Sequence, residues 1–125
     1  MSGDRLSRVG LDNLLDLDRF TAEIGGGFWV SMRASVINPD HGRPHGIRYA
    51  LSLHDPAGQR VLGYDNAHIP EVGTGPARKS KRRKLRFDHR HWRGTITAYD
   101  FRSPAQLLMD FWAHVERFMK EEGIE

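Results

Sequence analysis

From Phe28 to Ile37 the chain alternates, with Phe28, Val30, Met32, Ala34 and Val36 separated by Trp29, Ser31, Arg33 and Ser35. Successive side chains of a strand point to opposite faces, so this period of two predicts a strand with one buried face. Ile47, Tyr49, Leu51 and Leu53 repeat the pattern against Arg48, Ala50, Ser52 and His54, predicting a second strand. Asp55-Pro56-Ala57-Gly58 has tight-turn chemistry: proline presets φ and glycine allows the exit. Gln59 to Asn66 then returns, which makes 47–66 a hairpin. Gly25-Gly26-Gly27 marks an earlier turn. Before it, Leu11, Leu14, Leu15 and Leu17 begin a short helix or lead into a strand from about Leu17 to Ile24. Weaker strand signals fall at 85–91 and 95–101, and 38–46 reads as loop.

The C-terminus predicts a helix. Ser103 is placed as N-cap, Pro104 suits the first helical position, and Gln106 completes a Ser-x-x-Gln capping box. Leu107, Leu108, Phe111, Val115, Phe118 and Met119 form one apolar face, and Gly123 stands where a C′ glycine is expected. Such a helix is not stable alone with that face in water, so it must pack on the sheet. The expected fold is a single α+β domain over residues 1–125. It has an antiparallel sheet of about four to six strands and a C-terminal helix packed across one face. Residues 1–10 are expected to be loosely ordered, and the Gly- and Pro-rich segment 69–84 to be an exposed basic loop.

Composition narrows the function classes. The chain has no cysteine, which excludes disulfides and thiolate metal sites. No apolar run approaches the roughly 20 residues that span a bilayer, and the polar N-terminus lacks a signal-like apolar segment. The expectation is a cytoplasmic protein with no membrane association. Net charge is only +3, yet Arg78, Lys79, Lys81, Arg82, Arg83, Lys84, Arg86, Arg90 and Arg93 put nine cations into sixteen residues, with Asp88 the one acid. The remaining chain holds ten basic and fifteen acidic residues, so an acidic body carries one basic segment. That field attracts phosphate backbones and speeds encounter with them. The plainer alternatives are a solvated loop or a surface for an acidic protein partner. Nucleic acid is favoured because crowded like charges repel and gain little without a polyanion.

Candidate chemistry clusters at the end of this run. On a strand, His89 and His91 of Asp88-His89-Arg90-His91 share a face. Imidazoles there suit acid–base work near neutral pH or metal binding, and the plainer reading is two surface histidines. Asp65 and His68, at the end of the preceding strand, join them if the two strands are neighbours. Phe87 and Trp92 flank the histidines, and a base stacks on such rings, though core packing is the more ordinary role. Arg48 faces away from the apolar side of its strand, within reach of phosphate. His114 lies beside the apolar stripe of the helix, as a packed or rim histidine does.

Several strings have a familiar order: Arg48-Tyr49-Ala50-Leu51-Ser52-Leu53, then Arg60-Val61-Leu62-Gly63-Tyr64-Asp65-Asn66, then Asp88-His89-Arg90-His91, Tyr99 with Phe101, and Leu107 to Phe111. In that order they resemble the TumE family of toxins from bacterial type II toxin–antitoxin systems, from about Phe20 to Phe118. Gly-Tyr-Asp-Asn and Asp-His-x-His are the specific parts. The resemblance implies a toxin neutralised by direct contact with an antitoxin, of helix-turn-helix type. In compact members the two strings nearly adjoin; here about twenty residues intervene, including the basic run.

Together these observations predict a toxin acting on RNA, a metal-independent ribonuclease without cofactor. His89, His91, Asp65, Asp88 and His68 are its candidate catalytic residues. Lys79, Lys81, Arg82, Arg83, Lys84, Arg86, Arg90, Arg93, Arg48 and Trp92 are its candidate nucleic-acid contacts. A non-catalytic nucleic-acid-binding protein acting with its antitoxin, and a metal-dependent nuclease, stand as alternatives. Self-association into a homodimer is left open.

Overall fold

The computed structural model describes residues 8–40, 43–66 and 88–124. Their elements follow the alternation closely. Helix α1 (Leu11–Asp16) leads into strand β1 (Thr21–Gly25), followed by β2 (Phe28–Val36), β3 (Ile47–His54), β4 (Arg60–Asp65), β5 (His89–Trp92), β6 (Thr95–Ala98) and helix α2 (Pro104–Glu121). The Leu-rich segment therefore forms a helix first, and the strand after it starts at Thr21 rather than Leu17. The six strands form one antiparallel sheet in sequence order, at the upper end of the expected strand count. The segment 67–87, which includes the expected basic loop, lies outside the described residues.

The turns form where their residues allow. In the β3–β4 hairpin the Asp55 carboxylate accepts from the Ala57 and Gln59 N–H groups, and Gly58 takes a positive φ of 88°. That conformation costs a glycine nothing and most other residues a clash.

One face of the sheet is covered. Val30, Met32, Ala34, Ile47, Tyr49, Leu51, Leu53, Leu62 and Tyr64 make a core with Leu107, Phe111, Val115 and Phe118 of α2 and Leu14 of α1. Ser103 Oγ accepts from the Gln106 N–H at 3.1 Å, as the sequence predicts. The reciprocal half of the capping box is not made, because Gln106 Nε2 donates instead to Asp110 Oδ1 at 2.8 Å. At the other end, Gly123 N–H reaches Lys120 O and Ile124 N–H reaches Met119 O, the paired bonds of a glycine-terminated helix. Residues 1–7 lie outside the described residues. Val9 and Gly10 pack on the start of α2: Ala105 N–H donates to Val9 O, and a Cβ on Gly10 would lie 2.7 Å from Ala105 Cβ.

The other face of the sheet carries the alternate residues. Arg33, Ala50, Asp65 and His89 lie in one register row across β2 to β5, and Ser31, Ser52, Gly63 and His91 in the next. Among the described residues no helix packs on this face, although its centre is buried at Asp65 and His89.

Candidate functional site

Pairing of β4 with β5 sets Asp65 opposite His89 and Gly63 opposite His91. The two histidines and the aspartate thus meet on the open face, as their spacing and the adjacency of the strands require. His89 Nε2 lies 3.1 Å from Asp65 Oδ1, and His91 Nε2 lies 3.3 Å from Oδ2. The imidazole rings meet edge to face at 4.8 Å. Arg60 completes the group: one guanidinium nitrogen lies 3.0 Å from His91 Nδ1 and the other 3.6 Å from Asp65 Oδ2.

Exposure assigns different places to these groups. His89 is 2% exposed and Asp65 8%, while the His91 side chain is 16% and the Arg60 side chain 41% exposed. His91 and Arg60 therefore form the accessible surface of the cluster. A guanidinium only donates, so its bond to Nδ1 leaves the His91 proton on Nε2, directed at Asp65. Burial by itself raises the Asp65 carboxyl pKa; the polar contacts of His89 and His91, and their positive charge when protonated, reverse this and hold it well below the usual carboxylate range.

Three possible metal-ligand atoms, one each from Asp65, His89 and His91, lie within 4.8 Å of one another. Asp65 Oδ1 is buried and, although His89 Nε2 is near, has no hydrogen bond of proper geometry. A carboxylate and two imidazoles suit a divalent transition ion. To bind one, His91 would have to surrender the Nε2 proton that its contact with Arg60 favours.

Asp88 belongs to a different cluster. Tyr49 Oη donates to Asp88 Oδ1 at 2.7 Å, Asn66 Nδ2 donates to the same atom at 3.3 Å, and His45 Nε2 contacts both carboxylate oxygens at 3.1 and 3.2 Å. His45 Nδ1 accepts from the Ile47 N–H, so Nε2 carries the proton that Asp88 receives. Asn66 also bonds the backbone of Tyr49 and Ile47. Burial, then the charge and hydrogen bond of Asp88, raise the Tyr49 phenol well above its ordinary pKa. This network ties the start of β5 to β3 on the covered side.

The remaining predicted residues divide by face. Arg48 projects from the open face beside the site. Arg90 and Trp92 alternate to the covered side, where Arg90 Nε donates to Thr97 and the Trp92 ring packs 4.6 Å from His114. Arg93 stacks over Trp92 at 4.7 Å and pairs with Glu122. His114 Nδ1 also lies 3.1 Å from Tyr64 Oη; burial, then the charges of Arg117 and Arg90, lower its pKa. His68, Lys79, Lys81, Arg82, Arg83, Lys84 and Arg86 lie outside the described residues.

Sequence reasoning missed Arg60 and His45. Arg60 stands three residues before Gly63 in the quoted string, where its role was hidden in the strand. A Cβ on Gly63 would lie 3.1 Å from Arg60 Cδ, so the missing side chain gives the arginine stem its path to His91. His45 sits in a loop with no pattern to mark it.

A protein-family model described as Toxin TumE matches residues 16–119. That span contains Arg60, Asp65, His89 and His91. Searches of curated proteins and of solved structures return no match.

Proposed function

The chain belongs to the TumE toxin family, and from that premise we propose that it is a toxin acting on RNA through the imidazole of His91, held in check by an antitoxin that binds it directly. The observation that carries this reading is the chain of contacts from Asp65 through His91 to Arg60, on a sheet face where neither described helix packs. A buried carboxylate that orients an imidazole, with an exposed cation that a substrate phosphate can draw off the far nitrogen, suits a general base.

In the proposed mechanism Arg60 leaves His91 Nδ1 for a phosphate oxygen of the bound RNA. The freed Nδ1 takes the proton of the 2′-hydroxyl as that oxygen attacks phosphorus. Asp65 holds the ring and stabilises the imidazolium that forms. Arg60 offsets the charge gathering on the phosphorane, and the 5′-oxygen leaves with a proton from water or a neighbouring cation. Asp65 takes the orienting role rather than Asp88, because only Asp65 touches His91. His89, being buried, positions Asp65. The cations Lys79, Lys81, Arg82, Arg83, Lys84 and Arg86 attract the RNA backbone from the basic run, in a cytoplasmic setting. Among the described residues no helix is long and apolar enough to cross a membrane.

The three-ligand cluster and the unsatisfied Asp65 Oδ1 favour one second reading, a metal-dependent nuclease. Incubating the purified protein with single-stranded RNA, with and without chelator, separates the two. Cleavage that survives the chelator and is lost in His91→Ala supports imidazole chemistry. Loss to chelator, restored by a divalent ion, transfers the site to a metal. Absence of cleavage by the wild type, or full cleavage by His91→Ala, refutes the catalytic reading and leaves sequestration of nucleic acid with the antitoxin.

A further inference from the structure

The open face carries a second group of cations that the chemistry above does not use. Arg33 on β2 and Arg48 on β3 project from it as exposed side chains. With Arg19, Asp18, Ser35 and Ala50 they line a cavity of about 370 Å³. Asp18 is already engaged, its carboxylate accepting from the Ala34 N–H at 2.9 Å. Among the described residues no ion pair or side-chain hydrogen bond holds Arg19, Arg33 or Arg48. Three guanidiniums against the one carboxylate of Asp18 leave the concavity positively charged, and an anion would offset that charge.

Arg19 adds an independent sign. Its φ of 68° is left-handed, a conformation that strains a residue with a Cβ. It is fixed there by a bond from its own N–H to Met32 O at 2.8 Å. Glycine would take this conformation without strain, yet the position carries a long cation. Strain held at one residue points to a use for its side chain.

The register connects this cavity to the catalytic cluster. Arg33 pairs with Ala50, Ala50 with Asp65, and Asp65 with His89. Arg33 is thus two strands from Asp65, roughly 10 Å at ordinary strand spacing. Only the methyl group of Ala50 stands between them in that row. In the neighbouring row Ser52 leads to Gly63, over which the Arg60 stem passes to His91.

We propose that Arg19, Arg33 and Arg48 form a phosphate subsite for the nucleotide beside the one at His91, so that single-stranded RNA lies across β2 to β5 on the open face. This deepens the RNA-directed reading and rests on it. The low floor of Ala50 and Ser52 admits one backbone with its bases splayed. The subsite reads phosphate, and it therefore takes a ribose or a deoxyribose strand alike.

The test measures binding of a short, uncleavable 2′-O-methyl RNA strand and of a DNA strand of the same sequence, across a salt series. Arg33→Gln/Arg48→Gln is expected to bind both strands about tenfold more weakly. Its log–log salt slope should fall by about 0.7, the value for one phosphate on a single strand. Arg19→Gly relieves the positive φ, so it should melt at a higher temperature than wild type and still bind more weakly. Unchanged affinity and slope in the double variant would overturn the subsite, as would a loss confined to the RNA strand. An Arg19→Gly protein that is more stable and binds as wild type removes Arg19 from it. If the wild type cleaves RNA but the arginine variants bind normally, the subsite falls and the catalytic reading stands. If the wild type neither binds nor cleaves RNA, both fall.

Discussion

Gly63 and Arg60 share the same space above β4. A Cβ at position 63 would lie 3.1 Å from Arg60 Cδ and 3.3 Å from the Leu51 carbonyl, and the arginine stem is the part free to move. Gly63→Ala should therefore leave the fold intact while shifting Arg60 from His91. RNA cleavage is expected to fall between about tenfold and a hundredfold, as a small misplacement of a reacting group does, with the melting temperature nearly unchanged. Normal turnover in this variant would show that Arg60 does not act through its present position. Asp65 gives a prediction about stability. Its carboxyl is held well below the usual range in the fold, whereas an unfolded aspartate titrates near pH 3.9. A depressed folded pKa contributes stability above the unfolded value and loses it as pH falls toward the folded one. Asp65→Asn should cost about 1–3 kcal/mol at neutral pH, and denaturant titrations should show the gap closing below about pH 4. A gap that persists into strong acid would mean that packing, not charge, holds the cluster.

At the scale of elements, α2 tests how a helix start is secured. Ser103 accepts from the Gln106 N–H, while the Gln106 side chain turns to Asp110. Ser103→Ala should cost about 1 kcal/mol. Gln106→Ala should cost less, since its side chain satisfies no N-terminal N–H. Urea midpoints of the two variants decide this, and equal losses would restore the reciprocal box. The strands were legible in the sequence where alternation was long, as over 28–37 and 47–53. They were less so near Leu17, because four leucines support either a helix or a strand and the choice rests on packing against α2. His89 and His91 could be placed on one face from spacing alone. Their partner Arg60 could not, because it reaches them across a strand pair through a gap left by a glycine.

On the scale of the whole molecule, charge and shape are distributed separately. The sequence concentrates cations at 78–93, and the fold adds Arg33, Arg48 and Arg60 to the sheet face opposite the two helices. RNA affinity should weaken steeply with salt. Replacing Lys81, Arg82, Arg83 and Lys84 by glutamine should flatten that dependence, as loss of phosphate contacts does, without moving the unfolding midpoint. A salt dependence equal to that of wild type would confine RNA contact to the sheet. The sequence by itself determined the α+β class, the strand alternation, the capped C-terminal helix, the family resemblance and the pairing of two histidines, because each is a matter of short-range periodicity or local strings. Only the tertiary structure decided which aspartate serves them. Asp65 and Asp88 are equally plausible along the chain, but the pleat sends one to the open face with His91 and the other to the covered side with Tyr49 and His45. Residues far apart in sequence meet through strand register and burial, and a local pattern carries no record of what will stand across the sheet.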